Sequence, residues 1–165
     1  MPRTKPLVYI ETTVISYLTA RANRDIVVAA HQEVTHEWWE QRRNAFRLVA
    51  SQLVLAEAAA GDPEAAARRV EILESIELVE ATQDALNLAR NLIASGAIPA
   101  RAPEDALHVA LAAVNGAEYL LTWNCKHIAN ATIRCKIEAE CRRAGLVPPV
   151  LCTPLELMEE SNDVV

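Results

Sequence analysis

The sequence predicts an α/β protein, a three-layer α/β/α sandwich on a mostly parallel central sheet. Short apolar runs of strand length, such as LVYI, FRLVA, YLLT and VLC, alternate with longer segments of helical periodicity. The first run carries no polar residue, as a strand buried on both faces requires. Residues that start or stop helices punctuate most of the junctions between these segments.

Taken in order, Leu7 to Ile10 is the first strand, and Thr12 or Thr13 caps the helix through Val14 and Leu18. A long helix is expected from Arg24 to about Asn44, because Ile26, Val27, Ala30, Val34 and Trp38 recur at helical spacing. Phe46 to Ala50 is the second strand, and Ser51 caps a helix carrying Leu53, Val54 and Glu57 that ends near Gly61. Asp62-Pro63 starts the next helix, which runs through Leu73. Glu77 to Glu80 is a third strand, and Thr82 opens a helix that stops at Ser95-Gly96.

The helix from Pro103 to about Asn115 has the fullest set of signals: proline first, Glu104 and Asp105 in its first turn, and Gly116 at its end. Tyr119 to Thr122 is a strand followed by a polar loop. Thr132 to Ala144 is the last long helix, closed by Gly145. Val150 to Cys152 is a short strand, TPLELMEE forms a terminal turn of helix, and the end, SNDVV, is expected to fray.

The 165 residues suit a single domain, 1–165, with 52% hydrophobic and 23% charged residues. A net charge of −6 argues against broad, nonspecific attraction to nucleic acid, but not against a nucleic-acid substrate bound at a small site through a cation. Cys125, Cys135, Cys141 and Cys152 form no CxxC pair and no zinc-finger spacing, so reduced thiols in a cytoplasmic protein are expected. The N-terminus has only a few apolar residues before Glu11, and no run is long enough to span a bilayer.

Four segments set an acid or amide beside a structural breakpoint: VYIETTVISYL at Glu11, SQLVLAEAAAGD at Glu57, APEDALHVALAA at Asp105 and EYLLTWNCKHIAN at Asn124. Oxygen ligands at the carboxyl edge of a parallel sheet suit a hard cation such as Mg²⁺, and with it phosphate chemistry. Each position also has a plainer reading. Glu11 and Asp105 are acids where a helix dipole favours them. Glu57 sits among Leu53, Val54, Leu55, Ala56 and Ala58, where a buried acid needs a metal or a partner such as Arg68 or Arg69. Asn124 is an ordinary turn residue, with Thr13 and Thr122 available as neighbouring hydroxyls.

His108 reads as a satisfied core histidine, and Lys126 and His127 as phosphate contacts or plain loop residues. His31 and His36 are five apart, not the i,i+4 spacing of HExxH, which speaks against a zinc hydrolase. Of the adjacent Trp38 and Trp39, one is expected to pack and the other to lie at the surface.

The order of these segments resembles that of PIN-domain proteins, more narrowly VapC-type toxins of toxin–antitoxin pairs. The resemblance runs from VYIETTVISYL through D-A-L-H-x-A and L-L-T-W-N-x-K-H to PPVLCTPLELM. It implies a PIN-like fold and a Mg²⁺- or Mn²⁺-dependent endoribonuclease acting on single-stranded RNA. Glu11, Glu57 and Asp105 fall on the family's metal-binding acids, Thr13 on its helper hydroxyl and Asn124 on its fourth, variable position. The first position is usually Asp, so Glu11 is longer by one methylene, ~1.5 Å. Asn124 carries one negative charge fewer than the Asp also found there.

The implied catalytic set is therefore Glu11, Glu57, Asp105, Asn124 and Thr13, with Lys126, Arg101 and Thr122 as substrate contacts. A cognate antitoxin and a homodimer are the expected partners. The alternative is a catalytically degenerate binding module of the same fold that pairs with an antitoxin or RNA. A receiver-like phospho-acceptor domain would want an Asp ending a middle strand, and the segments ending at Ala50 and Glu80 offer none.

Overall fold

In the computed structural model, which describes residues 3–159, five strands form one all-parallel sheet in the order β3-β2-β1-β4-β5. The strands are β1 (Leu7–Ile10), β2 (Arg47–Ser51), β3 (Glu77–Val79), β4 (Tyr119–Leu121) and β5 (Val150–Cys152). β1 is the central strand, with Tyr9 opposite Val49 of β2 and Leu120 of β4. Val8, Tyr9 and Ile10 are fully buried, which is why this run has no charged residue.

The helices are α1 (Thr12–Thr19), α2 (Ile26–Gln41), α3 (Gln52–Ala58), α4 (Pro63–Leu73), α5 (Gln83–Ala94), α6 (Pro103–Val114) and α7 (Ala131–Arg143). The chain winds outward from β1 to β2 and β3, then returns to lay β4 on the other side of β1. Right-handed crossovers in opposite directions place their helices on opposite faces of a sheet. Accordingly α1 packs on α2, α3 and α4, while α5 packs on α6 and α7. This is the three-layer α/β/α sandwich the alternating pattern predicts.

The expected caps hold at Ser51, Asp62 and Thr82, each accepting a backbone N–H three residues on. Gly116 and Gly145 close α6 and α7 with φ of 72° and 79°, which glycine adopts freely. Three expectations need correction. The cap of α1 is Glu11, not Thr12 or Thr13: its carboxylate accepts the Thr13 N–H. α7 is capped by Asn130 and begins at Ala131.

The third correction concerns α2, which ends at Gln41 before a separate 3-10 turn, Arg43–Ala45, and buries only part of the expected face. Trp38 is buried as expected, but Ile26 and Val27 are 83% and 59% exposed, and Gln32 and Thr35 are buried in their place. Gln32 accepts the Asn23 N–H and donates to the Arg21 carbonyl, so its burial leaves no polar group unpaired. Trp38 packs inside, while Trp39 lies half-buried under the Arg43 guanidinium.

Pro154–Leu157 is a turn, and the expected fraying of SNDVV lies outside the described residues. All four cysteines are free thiols. No helix among the described residues is long and apolar enough to cross a membrane.

Candidate functional site

The strand order reverses at β1, whose two neighbours, β2 and β4, begin sequence excursions in opposite directions. In open α/β sheets the crevice at the carboxyl ends of such strands is where ligands bind. Glu11 leaves the end of β1, and Thr122 leaves the end of β4. Across the crevice Thr122 Oγ1 donates to Glu11 Oε2 at 2.9 Å. The same oxygen accepts the Thr13 N–H at 3.0 Å and the Thr13 hydroxyl. Glu11 is 4% exposed, so the donors compensate a carboxylate taken almost wholly out of water.

Glu57 reaches the same edge from α3, the helix after β2. Its Oε1 accepts from Thr12 Oγ1 at 2.7 Å and from His108 Nε2 at 2.6 Å. A carboxylate only accepts, which fixes Nε2 of the buried His108 as the proton-bearing nitrogen. The other ring nitrogen, Nδ1, pairs with the Tyr9 hydroxyl at 2.8 Å, and that hydroxyl also pairs with Ser51 Oγ at 2.7 Å. Burial pushes the Tyr9 phenol well above its ordinary pKa, so it remains an O–H. His108 is the satisfied core histidine expected, and it also fixes Glu57.

Asp105, in the first turn of α6, completes the edge. His127 Nδ1 donates to Asp105 Oδ2 at 2.8 Å, and the His127 backbone N–H donates to Asn124 Oδ1 at 3.0 Å. Asn124 N–H in turn donates to Thr122 Oγ1 at 2.8 Å. Asp105, His127, Asn124, Thr122, Glu11, Thr13, Thr12, Glu57, His108, Tyr9 and Ser51 thus form one run of hydrogen bonds and adjacent residues. It spans the ends of β1, β2 and β4.

Two features of this run bear on cation binding. Each acid has one oxygen held by protein donors and, among the described residues, one with no protein donor. Those oxygens are Glu11 Oε1, Glu57 Oε2 and Asp105 Oδ1. Nor does Lys or Arg neutralise any of the three among the described residues. Arg68 pairs with Glu64, and Arg69 donates to the Ala58 and Ala60 carbonyls, so neither serves Glu57.

Against this, no three His, Cys, Asp or Glu side chains among the described residues close into a ready cation cage. The donor set fits a loosely held Mg²⁺ or Mn²⁺ that keeps several waters and uses few direct carboxylate bonds. It does not fit a dry, fully protein-ligated ion.

Partial burial raises the Glu57 carboxyl pKa, but the hydrogen bond and charge of His108, with the Thr12 hydroxyl, outweigh it and leave the group below its ordinary value. A depressed folded-state pKa gives stability above the unfolded value that disappears as pH falls through the folded one. Glu57→Gln keeps an acceptor for both donors and removes that titration. Its thermal midpoint should therefore fall less steeply than the wild type's on the acid limb, and superimposable limbs would contradict the assignment.

Of the expected substrate contacts, Lys126 and Arg101 are exposed and have no acidic partner among the described residues. Thr122 is fully buried with its hydroxyl engaged on Glu11 and Asn124, a place suited to holding Glu11 rather than touching substrate. Thr12, Tyr9 and Ser51 are supporting residues outside the expected set; Thr12 lies next to Glu11 and Ser51 stands six residues before Glu57, while Tyr9 carries no local signal.

Among solved structures, the chain is similar to the Mycobacterium tuberculosis toxin VapC20, described as cleaving the sarcin–ricin loop. That match has 15% identity and a TM-score of 0.58, covering 73% of this chain and 92% of that one. It is also similar to a chain of VapBC2 from Rickettsia felis, a complex bound to a promoter DNA fragment. There the identity is 18% and the TM-score 0.56, with 89% of this chain and 98% of that one covered. No family model matches the sequence, and no curated protein matches it. The likeness establishes the fold: this chain has the α/β/α architecture of VapC toxins, the PIN-like arrangement implied by its motifs.

Proposed function

We propose that this protein is a Mg²⁺- or Mn²⁺-dependent endoribonuclease that hydrolyses single-stranded RNA, acting as the toxin of a toxin–antitoxin pair. The observation that carries the reading is the hydrogen-bonded run across the β1–β4 crevice, which leaves one oxygen without a protein donor on each of Glu11, Glu57 and Asp105. The fold shared with VapC toxins supports it. Glu11, Glu57 and Asp105 would hold the cation, which when bound polarises a phosphate and lowers the pKa of an attacking water.

The chain's own residues supply the positioning. Thr13 and Thr122 fix Glu11, while Thr12 and His108 fix Glu57. His127 fixes Asp105, and Asn124 ties that loop to Thr122. Such supporting contacts set ligand orientation and typically matter ~10- to 100-fold in affinity or activity. Lys126 and Arg101 contact the RNA backbone. Lys126→Ala and Arg101→Ala should each weaken RNA binding for every sequence and flatten the log–log salt dependence by about 0.7 per lost phosphate contact. Binding titrations at several salt concentrations check this, and unchanged slopes would remove both residues from the interface.

The exposed apolar residues Ile26 and Val27 on α2 support a role for the N-terminal helices in pairing with a second copy. The antitoxin partner is inferred from the VapBC2 likeness. The direct test is incubation of purified protein with single-stranded RNA. Cleavage in Mg²⁺ or Mn²⁺ that a chelator abolishes is expected, and chelator-resistant cleavage or none would refute the proposal.

A second reading, a non-catalytic binding module of the same fold, draws on the lack of a closed cage among the described residues and on the three donors already at Glu11 Oε2. It predicts no Mn²⁺ binding, whereas the nuclease reading requires it.

A further inference from the structure

Beside the acids lies a cluster of aromatic rings that the chemistry above does not use. Trp123 sits between Thr122 and Asn124, and its indole stacks on the His31 imidazole with centroids 4.1 Å apart and planes at 13°. Tyr17 meets both rings edge-on, 6.0 Å from Trp123 at 83° and 6.3 Å from His31 at 85°. A ring nearly equidistant from two parallel neighbours lies beside their stack, not on either end. Tyr17 therefore does not cover the face of Trp123 turned away from His31.

The indole plane is fixed from within. Trp123 Nε1 donates to the buried Thr35 Oγ1 at 2.8 Å, and Thr35 donates to the His31 carbonyl at 2.6 Å. The same residue is tied to the acids through its backbone, whose N–H donates at 2.8 Å to Thr13 Oγ1, the hydroxyl that holds Glu11. All three rings are only partly buried. A braced aromatic wall thus shares its framework with the candidate cation site, and exposed Lys126 stands three residues along the same loop.

We propose that Trp123, stacked on His31 and flanked by Tyr17, is a base-stacking wall that receives one unpaired nucleobase of the RNA beside the bond to be cut. This rests on the nuclease reading above and gives it a recognition element. Every base has a π-face, so stacking selects an unpaired base over a paired one, and any base over an abasic site, without choosing among the four. It suits a chain whose net negative charge gives little general attraction to RNA.

The test uses the wild-type chain with Ca²⁺ in place of Mg²⁺, and short single-stranded RNAs in which one abasic nucleotide is moved position by position. Binding is read by fluorescence anisotropy. One position next to the cleavage site should lose about five- to a hundredfold in affinity, the range measured for base–aromatic stacking. Trp123→Ala should flatten that position dependence, and Trp123→Phe should retain it. In Mg²⁺, Trp123→Ala should raise KM far more than it changes kcat.

A flat abasic scan with the wild type, or an unaltered profile in Trp123→Ala, overturns the proposal. If Trp123→Ala does not fold, the wild-type scan and His31→Ala decide in the same way. Base-dependent binding without cleavage in either metal would sink the nuclease reading and leave the wall standing. Cleavage with a flat scan would do the reverse.

Discussion

Asp105→Asn is expected to lower metal-dependent RNA cleavage by at least ~10²-fold, the scale reached when one fixed group stabilising developing charge is removed. The substitution is nearly isosteric, and the Asn carbonyl oxygen still accepts the His127 Nδ1–H that Asp105 Oδ2 accepts now. Folding should therefore be little affected, and the loss should appear in kcat with RNA binding largely retained. The same variant should also bind Mn²⁺ more weakly, because one of the three open carboxylate oxygens has become a neutral amide. Cleavage at the wild-type rate with an unchanged thermal midpoint would remove Asp105 from the site.

The second large effect is expected at His108. It is fully buried and lies between two groups that depend on it, the Tyr9 hydroxyl at 2.8 Å and Glu57 Oε1 at 2.6 Å. His108→Leu roughly keeps the volume, but Tyr9 loses its ring partner and Glu57 one of its two donors inside a polar network. Losing a partner in such a network costs about 1–3 kcal/mol each, with Glu57 discounted because its side chain is 34% exposed.

A total near 2–4 kcal/mol in denaturant unfolding is expected for His108→Leu, well above the effect of Glu57→Gln, which preserves both hydrogen bonds. A double-mutant cycle between the two positions should show clear coupling. Activity should fall further than stability alone explains, since Glu57 would no longer be held at one angle. A loss below ~1 kcal/mol would mean that the network does not act as a unit.

The elements most legible in the sequence are those fixed locally. β1 and β5 have the bounds their apolar runs suggest, and Ser51, Asp62 and Thr82 cap helices because a short polar side chain precedes each one. Helical periodicity weighs apolarity alone and so misses part of the buried face of α2. Gln32 and Thr35 go inside, where tertiary partners satisfy them, and Ile26 and Val27 stay out.

The candidate site divides in the same way. Its acids stand out because they interrupt apolar segments. What holds them does not, because Tyr9 and His108 are separated by 99 residues, Glu57 and His108 by 51, and Thr12 and Glu57 by 45. No short-range pattern links such pairs. The role of Glu11 as the cap of α1 was hidden for a different reason: the adjacent threonines are the stronger cap signal, yet one of them serves the glutamate.

The most direct measurement is an anomalous difference map from crystals soaked in Mn²⁺ at saturating concentration. The account predicts a peak in the crevice between β1 and β4, bonded directly or through water to Glu11, Glu57 and Asp105. A crevice without such a peak, or a peak held by other residues, would contradict it.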